Sequence, residues 1–79
     1  MNDKLREEVL AVLTDLCPDV DFEKEEALID DGIVESFDVI QIVTSLMEQF
    51  DIEIDADDIE PENLNSLERI VGMVERKLN

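Results

Sequence analysis

Three segments of this sequence repeat aliphatic residues at steps of three and four positions, the spacing that places side chains on one face of an α-helix. The first segment ends near residue 17, the second runs from about 36 to 50, and the third from about 66 to 78. A chain of 79 residues has room for one small domain, so we predict a single domain over residues 1–79. The inner helix faces are predicted to carry Leu5, Val9, Val12, Leu13 and Leu16, then Val39, Ile42, Val43, Leu46 and Phe50, then Leu67, Ile70, Val71, Val74 and Leu78.

The connections between these segments are irregular. The first, residues 17–35, is long for so small a domain and is predicted to pack onto the helices through its apolar residues. The second alternates Ile52 and Ile54 with acids, which cannot form a sheet without a partner strand, and then forms a short helical turn near 56–60 that Pro61 closes. The prediction is an all-α bundle of three main helices plus a short helical turn, with a long loop between helices one and two. The apolar residues of the first connection are Val20, Phe22, Leu28, Ile29, Ile33 and Val34.

The charge of the chain is strongly negative. It has 23 acidic and six basic residues, a formal net charge of −17, and residues 25–68 contain 15 acids and no Lys or Arg. Nucleic-acid binding requires Lys and Arg to neutralise phosphates, and an anionic membrane surface attracts basic segments. We therefore expect no nucleic-acid partner and no membrane insertion. A basic protein partner or a cation would be better suited to the negative electrostatic field of the chain.

Missing residue types exclude several kinds of chemistry. The chain has no His, so it has no imidazole base, no Ser–His triad and no His metal ligand. A single Cys, Cys17, cannot form an internal disulfide. There is no signal-peptide pattern and no run of about 20 apolar residues. We expect a cytoplasmic, monomeric protein that is not an enzyme, without catalytic residues or a metal site.

The outer side of the second helix has apolar residues that its core stripe does not need. Phe37, Ile40 and Met47 point away from the stripe and share that side with polar residues, the composition of a docking face. In the alternative interpretation, the long loop folds over Ile40 and Met47 and buries them. The predicted docking residues are Glu35, Phe37, Asp38, Ile40, Gln41, Met47 and Glu48.

Ser36 opens this helix after an acidic, glycine-containing segment. The ordinary interpretation is an N-cap serine whose hydroxyl accepts a backbone N–H. In the functional interpretation it is a modification site, because a phosphoryl group there would lie beside the positive end of the helix.

The segment around Ser36 resembles the signature of the acyl carrier protein family, the phosphopantetheine-binding carrier domains. Residues 30–37, DDGIVESF, are similar to the family's acidic-Gly-hydrophobic lead and Asp–Ser–Leu step. DIEI at 51–54 resembles its F-x-I-x-I passage, and NSLERI at 65–70 its last-helix start. Ser36 matches the attachment serine, although Glu35 stands where Asp is usual and Phe37 where Leu or Met is usual.

The resemblance implies that Ser36 carries a 4′-phosphopantetheine arm, donated from coenzyme A by a phosphopantetheinyl transferase. The thiol of the arm would hold an acyl or aminoacyl group as a thioester. The chain would shuttle this group between acyl- or aminoacyl-transferring and ligating enzymes that have basic docking patches. Fatty-acid, polyketide, peptidyl and D-alanyl carriers all remain open.

Two other functions compete with a carrier role. Asp51, Glu53, Asp55 and Glu62 imitate the spacing of an EF-hand calcium loop, although Ala56 stands where the loop needs Gly. The net charge would also suit an acidic decoy that inhibits a basic partner, and such a decoy would not need Ser36.

Overall fold

Four α-helices and a 3₁₀ turn make up the part of the chain that the computed structural model describes, residues 3–79, and that part has no strand. The all-α prediction is confirmed, with three main helices at the predicted positions. No helix within residues 3–79 combines the length and the apolar character that crossing a bilayer requires. The elements are α1 (Asp3–Leu16), α2 (Ser36–Phe50), the 3₁₀ turn (Ala56–Asp58), α3 (Pro61–Leu64) and α4 (Leu67–Leu78).

The core is aliphatic and lies where α1 and α4 meet each other and α2. The long connection contributes to it, as predicted: Phe22, Leu28 and Val34 are buried. Residues 52–55 belong to no helix or strand, and the alternation of this segment buries Ile52 and Ile54. The largest fully buried side chains are Phe22, Leu13, Leu28, Leu46, Leu67, Ile70, Met73, Val9 and Val74.

A few core predictions are wrong at the margins. Leu78 remains 48% exposed because no described element follows α4 to cover it, and Ile33 is 37% exposed because the loop turns its side chain outward. Phe50 is only half-buried against the core. Met73 is fully buried, since α4 packs against α1, α2 and α3 and therefore buries a wider arc than one stripe.

The connection between α2 and α4 also differs from the prediction. Pro61 does not close a helical turn but opens α3, at a first-turn position where its missing N–H costs no helical hydrogen bond. Ser66 caps α4, and its Oγ accepts the backbone N–H of Arg69 at 3.2 Å.

Candidate functional site

Ser36 is the first residue of α2, and its side chain is exposed. The N-cap is Glu35, whose backbone N–H donates to Asp38 Oδ2 at 3.1 Å, so the N-cap interpretation of Ser36 is wrong. Within residues 3–79 the Ser36 hydroxyl has no hydrogen-bond partner. A capping serine would have its oxygen occupied by a backbone N–H. This hydroxyl is instead open to a reaction partner.

The loop before Ser36 has a defined backbone. Gly32 has φ +68°, a left-handed conformation that residues with a side chain rarely adopt. Its N–H donates to the Ile29 carbonyl at 3.1 Å, and the Val34 N–H donates to the Leu28 carbonyl at 3.1 Å. These bonds close residues 28–34 into a compact loop that ends two residues before the serine.

Asn65, between α3 and α4, attaches this loop to the rest of the fold. Its carbonyl accepts the Leu28 N–H at 2.8 Å. Its Oδ1 accepts the N–H groups of Ile29 and Asp30 at 2.9 and 3.2 Å, and its Nδ2 donates to Asp30 Oδ2 at 3.0 Å. In the sequence, Asn65 is recognisable only as part of a predicted helix start. No local pattern reveals a partner 35 residues away.

An open groove of about 530 Å³ lies beside Ser36. One side is residues 28–34, which we call the loop wall; the other is residues 58–64, which we call the α3 wall. Ser36, Glu35 and Ile40 lie at the α2 side of the groove, and Glu60 belongs to the α3 wall. The apolar lining comes mainly from Ile29, Val34, Val39, Ile59, Pro61 and Leu64.

The α3 wall is held by basic residues of α4. Lys77 Nζ lies 2.7 Å from Asp58 Oδ2, Arg76 Nη2 donates to Asn63 Oδ1 at 2.9 Å, and Arg69 Nη1 donates to the Glu62 carbonyl at 3.0 Å. The hydrogen bond from Lys77 lowers the pKa of Asp58, and the same bond raises the pKa of Lys77. Half of the chain's six basic residues therefore hold this one segment.

The predicted docking residues lie in different environments. Phe37 and Ile40 are 71% and 56% exposed, so the loop does not cover Ile40. Met47 is half-buried against the core. Glu35 and Glu48 are exposed and Gln41 is half-buried. At roughly 100° per residue, Glu48 lies on nearly the same side of α2 as Phe37 but about 16 Å further along the axis.

Asp38 is held by the fold itself. It is half-buried and accepts the Glu35 N–H, so its carboxylate fixes the start of α2. Partial burial, with the nearby charge of Asp38, raises the pKa of the Cys17 thiol. A raised pKa lowers the thiolate fraction, so Cys17 is a poor nucleophile.

The acids that imitate a calcium loop do not converge. Among residues 3–79 no group of three or more Asp, Glu or Cys side chains is arranged to hold a metal ion. Residues 51–62 instead form an irregular segment, the 3₁₀ turn and the start of α3. Pro61 opens α3 directly before Glu62, the would-be twelfth ligand.

Comparison with known proteins gives one curated relative at significant similarity. The chain is 32% identical over 68 residues to a D-alanyl carrier protein from Lactobacillus acidophilus. The aligned region covers 85% of this chain and 86% of that protein, so it includes α2 and both walls of the groove. No protein-family model and no solved structure matches the sequence.

Proposed function

This chain belongs to the phosphopantetheine-binding carrier protein family, and we propose that it carries an acyl or aminoacyl group on a 4′-phosphopantetheine arm attached to Ser36. The observation that carries the proposal is the Ser36 hydroxyl, exposed and free of hydrogen bonds at the start of α2 and the edge of the groove. Residues 1–79 would act as one carrier domain, monomeric and cytoplasmic.

The residues around Ser36 suit a phosphopantetheine group. A phosphodiester on Ser36 would lie at the N-terminus of a 15-residue helix, where unpaired N–H groups and the helix dipole favour an anion. The apolar groove beside it is suited to shelter a chain-like group. When attached, the arm supplies the thiol that holds the cargo as a thioester.

Attachment requires little chemistry from this chain. The Ser36 oxygen would form a bond to the pantetheine-side phosphorus of coenzyme A. The P–O bond to the nucleotide part would break, and the serine proton would pass to a base on the transferase. The chain has no His, and its Cys17 has a raised pKa, so we propose a carrier without an active site of its own.

Partner enzymes would dock on the exposed side of α2. Phe37 and Ile40 supply an apolar centre beside Ser36, and exposed carboxylates such as Glu35 and Glu48 lie on the same helix or its cap. Basic patches on the transferase and on acyl- or aminoacyl-transferring and ligating enzymes would be attracted to this surface. Such attraction speeds encounter more than it strengthens the complex, which suits a protein that visits enzymes in turn.

We propose an aminoacyl group such as D-alanyl as the cargo, because the relative is named a D-alanyl carrier protein. A fatty-acyl, polyketide or peptidyl cargo is the second candidate. The test is to offer the phosphopantetheine form D-alanine with ATP and a D-alanine-activating ligase, and separately a fatty acid with an acyl-activating ligase. Loading with D-alanine alone would support the aminoacyl role, and loading with the fatty acid alone would contradict it.

The carrier role itself is tested by intact mass after incubation with coenzyme A and a broad-specificity phosphopantetheinyl transferase. We expect the wild type to gain one phosphopantetheine, and Ser36→Ala to gain none. Ser45→Ala is the matched control, because Ser45 lies in the middle of α2, and it should be modified like the wild type. A wild-type chain that gains nothing, or a Ser36→Ala chain that still gains the arm, would contradict the proposal.

A further inference from the structure

Asn65 is the residue that connects the two walls of the groove. Its backbone N–H donates to the Pro61 carbonyl at 3.0 Å, within the α3 wall. Its carbonyl and its side-chain oxygen accept three N–H groups of the loop wall, from Leu28, Ile29 and Asp30. One half-buried residue, through its backbone and its side chain together, therefore sets where the loop wall lies relative to α3.

Hydrogen bonds and chain connectivity together lead from the backbone carbonyl of Asn65 to the start of α2. Asn65 accepts the Leu28 N–H, the Leu28 carbonyl accepts the Val34 N–H, and the next residue, Glu35, donates its N–H to Asp38. Ser36 follows Glu35 directly. The backbone on the N-terminal side of the serine is thus fixed from a point 29 residues further along the chain.

We propose that Asn65 is a positioning residue for the modification of Ser36, an inference that rests on the carrier role proposed above. It holds residues 28–34 in the conformation that a phosphopantetheinyl transferase must meet beside the serine. A preformed binding surface spares the enzyme the entropy loss of ordering the loop during binding. Asn65 needs no contact with the transferase to act in this way.

The amide side chain is suited to this task by its mixed hydrogen-bonding groups. Its oxygen accepts from two backbone N–H groups while its NH₂ donates to the Asp30 carboxylate. An Asp in its place would keep the acceptor, lose the donor and face the Asp30 carboxylate with a like charge. Since Asn65 has an ordinary αR backbone, with φ −70° and ψ −21°, substitution does not strain the chain there.

The chain offers an exchange that tests this pairing. Asn65→Asp breaks it, and the double variant Asn65→Asp with Asp30→Asn restores a donor facing an acceptor at the same net charge as the wild type. Asn79→Asp is the matched control for added charge, because Asn79 is exposed at the end of α4 and belongs to neither wall of the groove.

The experiment measures kcat/KM for arm attachment with coenzyme A, and amide hydrogen exchange at Ile29 and Asp30 in the unmodified chain. Losing the donor and adding repulsion should lower kcat/KM by roughly fivefold to tenfold in Asn65→Asp, mainly through KM, and should speed exchange at both amides. The double variant should recover to within about threefold of the wild type on both measures. Asn79→Asp should match the wild type.

The outcomes separate the two proposals. If the wild type accepts no arm, both the carrier role and this inference fall. If it accepts the arm and Asn65→Asp reacts equally fast, only the inference is overturned. A double variant that restores slow exchange at Ile29 and Asp30 but not kcat/KM would also overturn it. Should Asn65→Asp alone lose its helical circular dichroism, rescue by the double variant still decides the question.

Discussion

The two walls of the groove beside Ser36 are attached to the bundle in different ways. The loop wall is held by hydrogen bonds to Asn65, most of them between uncharged groups, and by buried Leu28 and Val34. The α3 wall is held from outside by Lys77, Arg76 and Arg69, and from below by buried Leu64. The same groove therefore has one wall fixed mainly by amides and one fixed largely by charges.

Because the two walls are attached differently, we expect different solution conditions to loosen them. Dissolved salt screens charged contacts near the surface much more than it affects hydrogen bonds between uncharged groups. The loop wall, next to Ser36, should hold its shape across solution conditions. The α3 wall should be the side that opens first, and in the proposed carrier role it would be the side that adapts to chain-like groups of different size.

The largest expected effect comes from removing the apolar support that both walls share. Leu64 is 4% exposed and belongs to the α3 wall, yet it also lines a small internal gap with Leu28 and Val34 of the loop wall. Leu64→Ala should lower the free energy of unfolding by about 2–5 kcal/mol, measured by urea denaturation. Ile40→Ala, at a 56% exposed side chain, should change it by less than about 0.5 kcal/mol. Equal effects of the two variants would contradict this account of the groove.

A smaller effect is expected from the backbone of the loop wall alone. A Cβ at Gly32 would meet no atom within 4 Å. Gly32→Ala should therefore destabilise the fold only because a residue with a side chain disfavours the left-handed backbone at φ +68°. That cost is about 1–2 kcal/mol of unfolding free energy, and Gly32→Asn should lose less because Asn tolerates this conformation. Urea denaturation of the three chains checks the order. An Ala variant as stable as the wild type would mean that the loop adopts another turn.

Lys77→Met tests the charged attachment of the α3 wall. Removing the 2.7 Å contact to Asp58 should speed amide exchange at Ile59 and Asn63 and leave Ile29 unchanged, with little effect on the melting temperature. Added salt should speed the same amides in the wild type, and less so in the variant. Lys24→Met is the control, since Lys24 is 85% exposed and lies 4.0 Å from Asp21. Faster exchange at Ile29 would contradict the separation of the walls.

The smallest expected effect is the pH response of this contact. The hydrogen bond from Lys77 lowers the pKa of Asp58 in the folded chain. The ionised Asp58 carboxylate therefore stabilises the fold at pH values above its usual pKa of 3.8, and this stabilisation is lost as the pH falls below that value. The pKa of Lys77 is raised, so its contribution is present below its usual value of 10.5 and is lost above it. Exchange at Ile59, corrected for intrinsic rates, should be constant between these values and rise below the first. Asp58→Asn should remove that rise, and its persistence would assign the response to another acid.

Local patterns in the sequence determined the helices and the choice of Ser36 as the proposed attachment residue. The three periodic segments became α1, α2 and α4, because burying an aliphatic stripe is a local matter of spacing and is satisfied by almost any neighbour. The resemblance of the segment DDGIVESF to carrier proteins indicated Ser36 as the attachment serine. The similarity to a D-alanyl carrier protein supports membership of that family. The long connection was predicted to pack on the helices, and Phe22 does so.

Tertiary structure decided which of several similar polar residues makes each contact. Glu35 rather than Ser36 caps α2, Ser66 rather than Asn65 caps α4, and Asn65 instead holds a loop more than 30 residues away. The two caps pair residues three positions apart, whereas the Asn65 contacts depend on distant backbone groups that the folded chain brings within about 3 Å. A hydrogen bond requires one partner at a short distance and in a defined direction, whereas an apolar side chain can be buried against many different neighbours. For that reason spacing alone predicted the core stripes well, while the groove, its two walls and the residue that joins them emerged only from the fold.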